Sequence, residues 1–184
     1  MRRPDRPHYA DSARHAVPTA YIVGVMSTRL APGTIAPDFT LPSAGGGTIT
    51  LSGLVGQQVI VYFYPAAMTP GCTTQAVDFT SHHQRFTDAG YTVLGISPDP
   101  VEKLRRFVEK ESLTLTLLSD IDRRVMKAYG AYGLKNVYGK EIEGVIRSTF
   151  VVDVQDDGRP ILSLAQYNVR ATGHVDKLCR ELGI

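Results

Sequence analysis

Apolar and polar positions follow two different rhythms along this chain, and the switches between them mark its elements. Residues 59–64 (VIVYFY) are an unbroken β-branched and aromatic run, the pattern of a strand buried on both faces. Residues 91–97 (YTVLGIS), 115–118, 149–154 and 161–166 read as further strands, the last two joined by a turn at residues 155–158 (QDDG). Elsewhere the period is helical. After Cys72, the residues Ala76, Phe79, His83 and Phe86 are spaced i, i+3, i+7, i+10, with Gly90 just past the end this predicts. Asp99 is placed as an N-cap, with Pro100 at the first helical position and Glu102 three residues after the cap. Val101, Leu104 and Val108 form that helix's apolar stripe. Asp122 opens a third helix through Tyr129, closed by Gly130. Thr172 caps a last helix whose Val175, Leu178, Cys179 and Leu182 share one face.

Ahead of these elements, residues 36–42 (APDFTLP) are extended, Gly45-Gly46-Gly47 makes a hairpin connection, and residues 49–51 form a short strand. Alternating strands and helices, followed by a hairpin and a terminal helix, describe an α/β sheet covered by helices on both faces. Residues 1–25 are rich in Arg and Pro and lack periodicity. Asp5 and Asp11 are acidic and Pro18 breaks the apolar stretch, which argues against a targeting signal. This segment is read as a disordered tail, or as residues ahead of a true start at Met26. Residues 26–184 are read as one domain, in keeping with a length of 184 residues.

Composition narrows the function classes. Twenty Lys and Arg against 18 Asp and Glu leave a net charge of +2, too little to point to nucleic acid or a membrane surface. The longest nearly uncharged apolar stretches, residues 16–26 and 59–68, fall well short of the ~20 residues of a membrane span. Two cysteines, Cys72 and Cys179, build neither a disulfide framework nor a four-cysteine zinc site. Such sparse use fits a reducing, cytoplasmic compartment.

Cys72 follows Pro70 and Gly71 in a turn between a buried strand and a helix. It therefore falls in the first helical turn, where free N–H groups and the helix dipole favour a thiolate. A free thiol is only ~3% ionised at pH 7, and making one ~90% ionised takes ~3.4 kcal/mol. A helix terminus supplies ~0.3–2 kcal/mol, so a second positive group is expected nearby. On position alone, a small buried hydrophobe fits Cys72 equally well.

The surrounding residues separate these readings. Pro65, Thr69 and Cys72 stand as P-x-x-x-T-x-x-C, and residues 63–73 match F-Y-P-x-x-x-T-P-G-C-T. Residues 138–140 (YGK) with 143–153 (EGVIRSTFVVD) are similar to G-K-x-x-x-G-I-x-R-S-T-F-x-I-D. Together with residues 36–41 and 97–99, these strings resemble the peroxiredoxin Q family, also called bacterioferritin comigratory protein, over about residues 30–184. The resemblance implies a thioredoxin-like fold, a central mixed β-sheet flanked by helices. It implies a thiol-dependent peroxidase that reduces hydrogen peroxide and organic hydroperoxides through a Cys72 sulfenic acid, in antioxidant defence, without a metal or organic cofactor. It matches Cys72 to the peroxidatic cysteine and Thr69 to the hydroxyl that holds thiolate and peroxide. Pro65 matches the residue shielding the pocket. Arg147 matches the arginine that stabilises the thiolate and the peroxide oxygens, the second positive group expected above. The implied reductant is thioredoxin, a glutaredoxin-like protein or a low-molecular-weight thiol, and the implied assembly a monomer or homodimer.

Two positions depart from the family. Many members carry a resolving cysteine five residues after the peroxidatic one, where this chain has Val77, and often Glu three residues after it, where this chain has Gln75. Recycling then falls to Cys179, a second subunit or an external thiol; Cys179 itself, on an apolar helix face, reads as a packed core thiol. His82 and His83 point about 100° apart on a helix and cannot chelate one ion together. Asp120 and Asp122 read as turn and cap residues; Arg105-Arg106 and Arg123-Arg124 read as solvated faces. Two other readings remain: a thiol–disulfide oxidoreductase, which normally uses Cys-x-x-Cys, and a redox sensor whose Cys72 oxidation alters a partner surface.

Overall fold

The computed structural model describes residues 29–137 and 139–184; the expectation for residues 1–25 lies outside them. The chain runs β1 (Thr40–Pro42), β2 (Thr48–Thr50), a 3-10 turn (Leu51–Gly53), β3 (Gln58–Phe63), α1 (Pro70–Ser81), α2 (His83–Asp88), β4 (Tyr91–Ser97) and α3 (Val101–Glu111). It continues through β5 (Thr116–Ser119), α4 (Arg124–Ala128), β6 (Tyr132–Val137), β7 (Lys140–Val145), β8 (Ser148–Val154), β9 (Pro160–Gln166) and α5 (His174–Leu182).

Five strands form the central sheet in the order β5-β4-β3-β8-β9. The pairs β3–β4 and β4–β5 are parallel, while β3–β8 and β8–β9 are antiparallel, so the sheet is mixed. Its middle strand explains the unbroken apolar run. Ile60, Tyr62 and Tyr64 enter a core with Phe79, Phe107 and Leu178. Val59, Val61 and Phe63 enter another, on the opposite side, with Phe39, Met126 and Phe150. Gly95 on β4 is required by close packing: a Cβ there would lie 2.7 Å from the Tyr62 hydroxyl.

The two faces are covered unequally. Helices α1, α2, α3 and α5 supply the first core, whereas the second is closed by α4, the β1–β2 hairpin and the segment before it. The expectation of helices on both faces therefore holds only through the short α4. Nothing in the sequence pattern marks the β6–β7 hairpin, because exposed apolar side chains, Leu134 at 69% and Ile142 at 43%, stand among charged ones and no apolar alternation picks out a buried face. The helix after Cys72 breaks at His82, whose ring Nδ1 donates to the Asp78 carbonyl and whose Nε2 reaches Asp176 on α5. Thr172 is not the last helix's cap; that place belongs to Gly173, in the left-handed conformation at φ 71°. Asp99 caps nothing either, since Pro100 occupies the N-cap position of α3 and Asp99 is used elsewhere. Asp120, not Asp122, accepts the backbone N–H groups of Val125 and Met126 at the start of α4, which begins at Arg124. Residues 49–51 divide between β2 and the 3-10 turn.

The topology brings residues 72 and 147 together. β8 runs antiparallel to β3, so its first residue, Ser148, lies opposite the last residue of β3, Phe63. Arg147, just ahead of Ser148, therefore emerges at the end of the sheet where the loop into α1 begins.

Candidate active site

The loop from β3 to α1, residues 64–69, is held in an unusual shape. Met68 sits at φ 65°, a left-handed conformation that costs a non-glycine residue roughly 1–2 kcal/mol. The surroundings hold it there. Buried Asp99 accepts the Ala67 N–H at 2.6 Å and the Ser97 hydroxyl at 3.0 Å, and its other oxygen accepts from Lys103 at 2.6 Å. The Ser119 hydroxyl donates to the Asp99 carbonyl at 2.6 Å. The candidate N-cap is thus the anchor that ties this loop to the ends of β4 and β5.

Pro70 opens α1, and Cys72 falls in its first turn, 2% exposed. Thr73 N–H already bonds the Thr69 carbonyl at 2.8 Å. The N–H groups of Gly71 and Cys72 lie ahead of it at the open, positive end of the helix. Arg147 supplies the second positive group. Its Nη2 donates to Cys72 Sγ at 3.2 Å and its Nη1 to Gln75 Oε1 at 2.5 Å. The Arg147 carbonyl in turn accepts the Val169 N–H at 2.9 Å, fixing the backbone that aims the guanidinium.

Gln75 is wholly buried, and its Nε2 donates to Nδ1 of His174 at 3.2 Å. Burial lowers His174 to about 4, with Arg147 and Lys177 acting in the same direction and Glu181 against them. Tyr62 lies close to the same group of residues. Burial first, then Tyr64 and Cys72, push its hydroxyl well above the usual range, and Arg147 opposes them, so it remains a neutral wall.

Of the four residues singled out in the sequence, Cys72 and Arg147 are joined directly. Pro65 lies half-buried in the loop. Thr69 is exposed, and its hydroxyl donates to the Ala66 carbonyl at 2.9 Å and not to Cys72. Its proton is therefore committed, and only its lone pairs are free for a ligand proton. Cys179 is 1% exposed on α5, in the same core as Cys72, and burial pushes its thiol up. Val77 is 38% exposed on α1.

Sequence reasoning missed His174, and read Gln75 only as a departure and Asp99 only as a cap. A signal existed for His174, since it lies four residues before Leu178 on an otherwise apolar helix face. Beside these residues opens a cavity of about 440 Å³, lined in part by Val169, Arg170, His174 and Lys177. Cys72 does not line it; the His174–Gln75 bond connects the two.

Among the described residues no helix is long and apolar enough to cross a membrane. Residues 32–157 match the model of the AhpC/TSA family. A Mycobacterium tuberculosis (strain H37Rv) protein named as a peroxiredoxin is 58% identical over 158 residues, covering 86% of this chain and 98% of its own. Peroxiredoxin Bcp of Escherichia coli (strain K12) is 48% identical over 130 residues, 71% of this chain and 82% of that one. Among solved structures, a Cys-to-Ser mutant of Xanthomonas campestris peroxiredoxin Q superposes with a TM-score of 0.72 at 34% identity, covering 79% of this chain and 90% of that one. A structure of the Xanthomonas campestris bacterioferritin comigratory protein, described by its alkyl peroxide reduction activity, gives 0.72 at 33%, covering 79% and 90%.

Proposed function

This chain belongs to the AhpC/TSA family, in its peroxiredoxin Q and bacterioferritin comigratory protein branch, and is a thiol-dependent peroxidase; on that premise we propose that Cys72 is the peroxidatic residue and Arg147 its electrostatic partner. One observation carries the assignment: Arg147 Nη2 lies 3.2 Å from Cys72 Sγ at the open N-terminus of α1.

In the reaction, the Cys72 thiolate attacks the outer oxygen of a hydroperoxide. An S–O bond forms as the O–O bond breaks. Sulfur loses two electrons and becomes a sulfenic acid. The leaving oxygen departs with the electron pair as hydroxide or alkoxide and takes a proton from water. Negative charge spreads from sulfur onto both oxygens in the transition state. The Gly71 and Cys72 N–H groups and the guanidinium are donors fixed in advance, and in many enzymes such preorganised donors account for most of the rate enhancement. The Thr69 hydroxyl, with its own proton on the Ala66 carbonyl, accepts a hydrogen bond from the peroxide O–H and orients the substrate. Pro65 limits water at the sulfur. Arg170 and Lys177 put positive charge on the neighbouring cavity.

A second thiol must then attack the sulfenic acid. Val77 has none, and Cys179 is buried. An external thiol is therefore the reductant, either thioredoxin, a glutaredoxin-like protein or a small thiol, and one copy of the chain, alone or in a homodimer, completes the site. Steady-state peroxide consumption with excess dithiothreitol tests the assignment. Cys72→Ser abolishes turnover and Cys179→Ser largely keeps it. Equal losses in both variants would remove Cys72 from its role.

A further inference from the structure

His174 lies on the far side of Gln75 from Arg147, and donor–acceptor chemistry fixes every proton between them. Arg147 carries only donors, so the atom of Gln75 that meets it is the carbonyl oxygen. The Gln75 amide nitrogen is then the atom that meets His174 Nδ1, and an amide nitrogen only donates. Nδ1 is therefore an acceptor, His174 is neutral, and its proton sits on Nε2. No other assignment leaves each bond with one donor and one acceptor. Gln75 is 0% exposed and cannot exchange either partner for water.

The Nε2 atom is buried with no hydrogen-bond partner among the described residues. A buried donor left unpaired costs roughly 1–3 kcal/mol. An apolar side chain would fill this place beside Phe79, whose ring lies 5.9 Å from the imidazole, without that cost. Packing alone therefore does not account for a histidine here. Nδ1 does, because it is what Gln75 needs. The remaining charged groups facing the ring are Arg147 from the β7–β8 link and Lys177 and Glu181 from α5 itself.

We propose that His174 is a positioning residue: as a neutral Nδ1 acceptor it locks the orientation of Gln75, and through Gln75 it holds the Arg147 guanidinium against Cys72. This rests on the assignment of Cys72 and Arg147 made above. Without the acceptor, the buried Gln75 amide nitrogen loses its partner, and the side chain is no longer held from its far end with its carbonyl oxygen on Arg147. The second anchor of the guanidinium is then lost, leaving only its contact with sulfur.

The test is a double-mutant cycle on the full chain, read as the second-order rate of Cys72 with peroxide at pH 7.5. His174→Phe removes the acceptor and keeps an aromatic ring. His174→Asn restores an acceptor oxygen to the same position. The expected result is a loss of about tenfold for His174→Phe, the size of one hydrogen bond, and a rate within about threefold of wild type for His174→Asn. In an Arg147→Lys background His174→Phe adds little, because its effect runs through the arginine. If Arg147→Lys slows the reaction and His174→Phe slows it further by the same factor, His174 does not act through Arg147 and the inference falls. If Arg147→Lys alone changes nothing, the active-site assignment itself has failed. Should His174→Phe not fold, the imidazole ¹⁵N shifts of wild-type protein decide. A neutral ring protonated at Nε2 supports the inference, and a proton on Nδ1 overturns it.

Discussion

Replacing Arg147 by lysine keeps the charge and removes the fork. The two terminal nitrogens of Arg147 have separate tasks, one on Cys72 Sγ at 3.2 Å and the other on Gln75 Oε1. A lysine ammonium is a single point on a flexible stem and cannot hold both positions. A hydrogen bond to a charged group contributes roughly 1.5–3 kcal/mol. Part of this survives as the ammonium's charge, so the lower end applies, and the peroxide rate falls at least about tenfold, since 1.4 kcal/mol is one decade. Arg147→Gln, which loses charge and fork together, falls by about a hundredfold, near the upper end of that range. The chain contains no tryptophan, so the usual indole fluorescence signal is absent. Quenched-flow mixing with hydrogen peroxide, followed by titration of the remaining thiol in a Cys179→Ser background, gives the rate directly. A lysine variant within twofold of wild type would refute the argument that bidentate anchoring stabilises the transition state.

Asp99→Ala leaves the Ala67 N–H and the Ser97 hydroxyl without their buried acceptor; urea unfolding is expected to show a loss of about 2–4 kcal/mol, and the peroxide rate falls because the loop carrying Thr69 is released. The neutral His174 makes stability depend on pH. Unfolded histidine takes a proton near 6.5 and the folded one only near 4, so the unfolded state binds more protons in between. The stability is complete above pH 6.5 and is lost as pH falls toward 4, by up to about 3 kcal/mol. His174→Asn flattens this part of the profile; an unchanged slope in that variant would show that another group is responsible.

Much of this site is legible in the sequence where local pattern carries the information. The buried run at residues 59–64 and the place of Cys72 in the first turn of a helix are short-range features, and the structure bears them out; Pro70 and Gly71, however, belong to that helix, the tight turn lies at residues 67–68, and the helix ends at Ser81. Arg147 comes from the family resemblance, since nothing in spacing alone says that residue 147 meets residue 72. The physical reason is the antiparallel β3–β8 pairing, which sets Ser148 against Phe63. Asp99 and His174 are harder. Asp99 has the local signature of an N-cap, and only the tertiary position of Ala67 gives it a different partner. His174 reads as a polar interruption on an apolar face until Gln75 arrives from α1 to accept it as a neighbour. The β6–β7 hairpin escapes because exposure on both faces erases the alternation by which a strand is recognised.

The most direct measurement is the intact mass of the protein after one equivalent of hydrogen peroxide in the absence of any other thiol. The account predicts a monomer heavier by one oxygen, trapped by dimedone, with the adduct mapped to Cys72. An adduct on Cys179, or a chain lighter by two hydrogens with a Cys72–Cys179 bond and no trappable sulfenic acid, would contradict it.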